Sequence, residues 1–198
     1  MGESDLARVR VESARTSKAL ATEREGDQTH TEVQGWLRDL GRGLGYDVWV
    51  AANDQGRLYD GGKLNDGCLL ALPDAIGNAP GAGAIRLIDL LWLDRATTRI
   101  VAAFEVEHST SIYSGIVRML DLALGPEALA LEGLFLVAPD GREDDVRAQL
   151  SRPAFSRIAD MNVRYIPYGE LKANREALVR FGSGMKGVHA ISRSLVPT

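Results

Sequence analysis

One cysteine, Cys68, occurs in 198 residues, so the chain can form no internal disulfide and no multi-cysteine zinc site. Such usage fits a reducing compartment, and a cytoplasmic protein is the expectation. No apolar run approaches membrane-spanning length, and the opening "MGESDLARVRVESARTSK" lacks the apolar centre of a signal peptide. Nor is "MGES" a myristoylation signal, because Asp5 and Leu6 stand where that motif has Ser or Thr. An excess of positive charge is also missing: 23 basic and 27 acidic residues leave −4. That balance opposes tight nucleic-acid binding by bulk charge alone, yet it suits acidic residues gathered around a cation. There is no Gly-x-Ser-x-Gly elbow, no phosphate-cradling Gly-rich loop before a Lys, and no Ser/His/Asp or Cys/His arrangement. Serine hydrolases and nucleotide-binding enzymes are therefore disfavoured.

What is present is the composition of a globular protein, 45% apolar and 25% charged, in a chain long enough to bury a core. Residues 1–28 alternate charge with Ala, Leu and Val and are expected as a helical or flexible arm. A helix is predicted over 30–41: Thr29 or Thr31 caps it, Val33, Trp36, Leu37 and Leu40 recur at helical spacing, and Gly41, Gly43 and Gly45 end it. "YDVWVAA" reads as a strand, and residues 53–84, rich in Gly, Asn, Asp and Pro, as a long insertion. Strands follow at 85–93 and 99–107 around the turn "DRATT", then a helix at 111–124. "LEGLFLVAP" and "NVRYIPY" are further strands; "GREDDVRAQLSRPAF" and "GELKANREALVRF" are further helices. The Gly/Ser-rich residues 182–198 are expected as a loose tail, leaving 29–181 as the domain. This order predicts an α/β fold, a central mixed sheet with helices on both faces. Trp36, Trp49 and Trp92 fall at core positions.

The chemistry concentrates in "IVAAFEVEHSTSIYSGIVRMLDL", residues 100–122. Side chains alternate along a strand, so Glu105 and Glu107 share one face and His108 points to the other. Asp89 lies in the preceding apolar segment "RLIDLLWL", and a hairpin centred on 94–98 brings it level with Glu105. An isolated Glu-x-Glu at a strand end is ordinarily a solvated edge, and a lone Asp in an apolar strand a satisfied core group. Their coincidence at matching levels points instead to a hard divalent cation, which takes oxygen ligands. Beyond the carboxylates, Ser111, Ser114 and Arg118 recur at helical spacing. They form a polar stripe suited to a substrate phosphate, while Thr110 or Ser111 caps the helix. His30 and His189 have no companions at ligand spacing and receive no role.

These residues resemble the PD-(D/E)XK nuclease superfamily, the restriction-endonuclease-like fold. Its core of helix, three-strand meander, helix and strand is similar to the order predicted from Thr29 to Pro139. Asp89 matches the Asp of its second strand and Glu105 the acidic position of its third, while Glu107 stands where Lys is usual. Glu32 in "TEVQ" matches a Glu that such families often add from the first helix. The literal Pro73-Asp74 lies in the Gly/Pro-rich region and belongs to a loop. The resemblance implies a Mg2+-dependent endonuclease, with Mn2+ as a substitute. It implies metal at Asp89, Glu105 and Glu32, and Glu107 as water-positioning group, proton acceptor or second-metal ligand. DNA as substrate, a restriction or mobile-element defence role, and a homodimer that pairs two active sites are further implications. Two alternatives stay open: a catalytically inactive restriction-fold module for nucleic-acid binding or assembly, and an unrelated metal-dependent hydrolase acting on a small substrate.

Overall fold

The computed structural model describes residues 25–108, 112–153, 155 and 162–195. The first helix, α1, covers 25–43, so it runs through residues expected in the arm. Thr29 and Thr31 lie inside it rather than capping it: their hydroxyls donate back to the carbonyls of Glu25 (2.9 Å) and Asp27 (3.0 Å), one turn earlier. After α1 the chain reverses through Gly45, whose φ of +93° suits a residue without Cβ.

The strands β1 (Asp47–Val50), β4 (Leu90–Leu93) and β5 (Ile100–Val106) make an antiparallel meander. The expected insertion between the first two holds a small hairpin, β2 (Leu58–Tyr59) and β3 (Gly62–Lys63), then two short helices, α2 (Asp74–Gly77) and α3 (Ala82–Ile85). The segment expected to be strand from residue 85 is therefore the end of α3 and a turn, and β4 begins only at Leu90. Asp74 opens α2 as an exposed residue with Pro73 at the cap, so the literal Pro-Asp stands at a helix start rather than in a loop. Between β4 and β5 the carboxylate of Asp94 accepts the amides of Ala96 and Thr97 and the Thr97 hydroxyl, which fixes the hairpin turn.

From β5 the chain crosses through α4 (Ile112–Ala123) to the parallel strand β6 (Gly133–Ala138). It then passes through α5 (Glu143–Leu150) to β7 (Val163–Pro167), also parallel, and into α6 (Tyr168–Phe181). The six-stranded sheet has the order β1-β4-β5-β6-β7-β8, the last strand being Arg193–Ser194. It is the α/β, mixed-sheet architecture expected. On one face α1 presents Val33, Trp36, Leu37 and Leu40, and α6 presents Leu171, to Trp92, Phe104 and Phe135. Ile112, Ile116, Met119 and Leu122 of α4, with Val146 and Leu150 of α5, cover Leu91, Ala103, Leu134 and Leu136 on the other. All three Trp are buried in these two layers. Among the described residues no helix is long and apolar enough to cross a membrane.

Residues 182–195 are not a loose tail. They form α7 (Lys186–Ile191) and β8 (Arg193–Ser194), and β8 pairs with β7. Met185 and Val188 are buried against the α1 side of the sheet, and Arg164 holds the turn through Ser192 Oγ (2.5 Å) and O (2.9 Å). The Gly/Ser content misled because burial of a few apolar side chains, not composition, decides docking. Met185→Ala should therefore cost about 2–5 kcal/mol in urea unfolding, the range for truncating a buried side chain. An unchanged midpoint would mean the segment is not docked.

Candidate active site

The parallel strands β5, β6 and β7 all end at one edge of the sheet, and β4 begins there. Ligand sites in α/β proteins favour the carboxyl ends of parallel strands. The β4–β5 register pairs Leu90 with Phe104, so its next step sets Asp89 level with Glu105, as the hairpin predicts. Beyond that pair the strands part, and Asp89 Oδ2 accepts the amide of Val106 at 2.7 Å. That bond satisfies a strand N–H and fixes the carboxylate at the sheet's end. Glu107 leaves the strand on the same face as Glu105, its own amide donating to Val137 O at 2.8 Å. Asp89 is 7% exposed, Glu105 0% and Glu107 5%.

Helix α4 comes close because it carries Gly115 at the contact. A Cβ there would lie 3.0 Å from Glu107 Oε1 and 3.1 Å from Glu105 Cβ. One turn on, Arg118 Nε and Nη2 donate to the two oxygens of Glu105 at 2.8 and 2.5 Å. This bidentate pair offsets part of the cost of burying Glu105. Of the predicted polar stripe, then, Arg118 reaches the carboxylates as a partner of Glu105, Ser114 is exposed, and Ser111 lies outside the described residues.

Glu32 does not join the cluster. It is exposed and lines a cavity of about 950 Å³ with Trp36, Tyr59 and Arg175. In its place α1 contributes His30 and Gln34, on the opposite border of the apolar stripe. Gln34 Nε2 donates to Asp54 Oδ2 (2.8 Å) and Asp89 Oδ1 (3.3 Å). His30 Nε2 stands 3.7 Å from Asp89 Oδ1 and 3.9 Å from Asp54 Oδ2. Asp54, in the loop after β1, is 2% exposed and takes Arg57 Nε on its other oxygen at 2.7 Å. His108 stacks on Tyr168, with ring centroids 6.2 Å apart, at the end of β7. His189 faces the carbonyl of Glu132 instead. His30, Gln34 and Asp54 had a faint signal in the sequence. A His and a Gln four residues apart beside an apolar helical stripe share a face, and Asp54 precedes Arg57 by one short turn.

Charge follows from burial. Burial pushes the Glu107 carboxyl up to about 7, helped by the charge of Asp89 and opposed by Arg118, His30 and Arg142. Burial also raises Glu105; Arg118 pulls the other way, and the charges of Asp89 and Glu107 add to the rise. At His30 burial acts downward, but Asp89 and Asp54 outweigh it, so its affinity for a proton is raised. Burial raises the Tyr168 phenol, and the charges of Asp89 and Glu107 reinforce this. The chemistry on offer is a buried acidic site in which Glu105 and Glu107 both hold a proton more tightly than ordinary carboxyls do.

The mixed sheet flanked by helices, with acidic residues at its strand ends, is consistent with a restriction-endonuclease-like core. The chain belongs to the family of the C-terminal domain of the type II restriction enzyme NmeDI, whose model matches residues 11–188. The type II restriction enzyme NmeDI of Neisseria meningitidis serogroup C is 31% identical over 148 residues, 72% of this chain and 41% of that protein. The chain thus spans less than half the length of this relative. No solved structure matches it.

A pH dependence follows from Glu107. Its folded-state value of about 7 lies above the ordinary 4.5, so the folded protein holds that proton more tightly than the unfolded chain does. The contribution is complete below about 4.5 and is lost as pH rises through about 7. In urea unfolding with chelator present, stability should fall across that interval, and Glu107→Gln should flatten the fall. An identical slope in the variant would contradict the assignment.

Proposed function

We propose that this domain is the catalytic part of a restriction-type endonuclease of the PD-(D/E)XK kind, hydrolysing phosphodiester bonds in DNA with a divalent cation. The observation that carries this reading is the set of three buried carboxylates, Asp89, Glu105 and Glu107, at one end of the sheet. Gln34 Oε1, Tyr168 Oη and, stacked beside Tyr168, His108 Nδ1 are buried with no hydrogen-bond partner among the described residues, as expected of a site that receives a further polar group. The donor set fits Mg2+, with Mn2+ as a substitute, because carboxylate oxygens are the ligands such hard cations take. Asp89 and Glu107 would hold the ion, with Glu105 joining as Arg118 turns from it to a substrate phosphate. When bound, the cation would polarise the phosphate and make water a better nucleophile.

The remaining roles belong to the chain. The amide of Val106 holds Asp89 in place. Glu107, standing where the resemblance has Lys, would orient the attacking water through the oxygen that the ion leaves it and accept its proton. Similarity to a type II restriction enzyme supports DNA as the substrate and restriction or mobile-element defence as the setting. The bidentate Arg118–Glu105 pair favours the second reading, an inactive restriction-fold module, since it occupies both Glu105 oxygens.

Cleavage of plasmid DNA with Mg2+ separates the two readings. Asp89→Asn and Glu107→Gln should each lower the rate by at least about 100-fold, within the range for a general base, while far-UV circular dichroism stays native. Glu107→Lys should keep activity if residue 107 only positions water, and abolish it if the carboxylate is a ligand. Cation at 100 times its Kd should raise stability by about 2.7 kcal/mol in the wild type. Wild-type protein without metal-dependent cleavage, melting alike with and without the ion, would establish the inactive module.

Cutting both strands calls for two sites, and one domain of this size carries one. The protein is therefore proposed to act as a homodimer, and a two-fold arrangement is the usual way to build one. Light scattering at tens of micromolar, roughly where weak dimers still form, should give twice the monomer mass; a strict monomer would count against pairing.

A further inference from the structure

His30, Gln34 and Asp54 are not explained by a cation at Asp89 and Glu107. They come from two separate segments, α1 and the loop after β1, and meet Asp89 at the entry to β4. One potential ligand atom from each of His30, Asp54 and Asp89 lies within 4.8 Å of the others. The imidazole is 3.7 Å from Asp89 Oδ1 and 3.9 Å from Asp54 Oδ2, too long for a hydrogen bond to either. Arg57 holds Asp54 by Oδ1, which leaves Oδ2 turned toward the imidazole.

Gln34 supplies an independent sign. Its side chain is 0% exposed, and its amide is wedged between the two carboxylates. Nε2 faces both, while Oε1 is buried with no partner among the described residues. A carboxamide presents nitrogen or oxygen to the same point by turning over. Turned, Gln34 would bring a fourth donor to the place where His30, Asp54 and Asp89 converge, its Nε2 giving up the two carboxylates that a cation would then neutralise.

We propose that His30, Asp54, Asp89 and Gln34 form a second cation site, selective for a divalent transition metal of the Mn2+ or Co2+ class over Mg2+. It shares Asp89 with the proposed catalytic site and so rests in part on that reading. The donor chemistry sets the selectivity: Mg2+ takes oxygen ligands and keeps its waters, whereas an imidazole nitrogen suits the transition ions. Asp54 and Asp89 supply anionic oxygens beside the imidazole. The simpler alternative is that His30 itself serves as counter-ion to two buried carboxylates, and it predicts no metal at this place.

The test uses the full chain and Mn2+ alone, followed by electron paramagnetic resonance as free ion is taken up. Wild type should bind two equivalents, one of them showing nitrogen coupling by electron spin echo spectroscopy. His30→Gln should abolish that coupling, and both His30→Gln and Asp54→Asn should weaken one equivalent by about 10–100-fold or more. The other equivalent should be lost in Glu107→Gln, with the coupling kept. Lack of nitrogen coupling in the wild type overturns the proposal without any variant. One equivalent, lost in Glu107→Gln and kept in Asp54→Asn, overturns it while the catalytic reading stands. Retention of both equivalents in Glu107→Gln would instead fault the catalytic assignment, and no binding at all would remove both.

Discussion

Asp89, Glu105 and Glu107 repel one another where little water reaches to screen them, and each surrounding contact answers that repulsion differently. Arg118 meets Glu105 with a full opposite charge and two hydrogen bonds. Val106 offers Asp89 only an amide, which fixes direction without neutralising charge. At Glu107 the answer is a proton, since burial has raised its value to about 7. A purely structural carboxylate looks different: Glu127, 8% exposed, takes the amide of Ile100 at 3.1 Å and lies beside Arg99 at 3.6 Å. The cluster at the sheet end is acidic beyond what its own cations offset, and that residual charge is what a divalent ion would meet.

The scaffold makes this placement hard to avoid. Antiparallel register couples Asp89 to the level of Glu105 through the Asp94 turn, so one tight loop sets the spacing of two acids. Parallel pairing then brings the ends of β6 and β7 to the same edge, which delivers Arg142 and Tyr168. Helix α4 can approach from above only because Gly115 has no side chain to meet Glu105 and Glu107. Larger side chains at 115 would force the helix outward and carry Arg118 away from Glu105. Sheet, turn and helix thus constrain the same few ångströms.

Local rules reached much of this. Strand alternation places Glu105 and Glu107 together, and hairpin arithmetic places Asp89 beside them, because both depend on residues a few positions apart. Helix α4 followed its apolar spacing in the same way. The partners from α1 were harder. Thr29 and Thr31 imitate caps, and reading them as caps set the helix start too late and put His30 at its frayed end. Glu32 drew notice as an acid, yet the apolar stripe through Val33, Leu37 and Leu40 leaves it on the wrong border, and Gln34 on the right one. Asp54 sits among Gly and Asn, where no period exists to signal burial. Its position depends on Arg57, Gln34 and the β1–β4 pairing together, a long-range arrangement that no short window contains.

Glu105 and Glu107 are chemically the same residue on the same face, and their surroundings divide their roles. Glu105 lies under α4, with both oxygens taken by a guanidinium that is itself only a quarter exposed, so it changes state only if Arg118 moves. Glu107 lies past the end of β5, near His30 and Arg142, with its proton affinity set close to neutral pH. On the proposed reading, Glu105 would be freed only when a competing anion such as a phosphate diester draws Arg118 away. A Lys at 107 would contribute a fixed positive charge and cancel part of the acidic cluster; Glu keeps the cluster acidic and makes its demand for a cation stronger. If the proposed reading holds, Glu in place of the commoner Lys would shift the site toward dependence on an added ion rather than on a built-in charge.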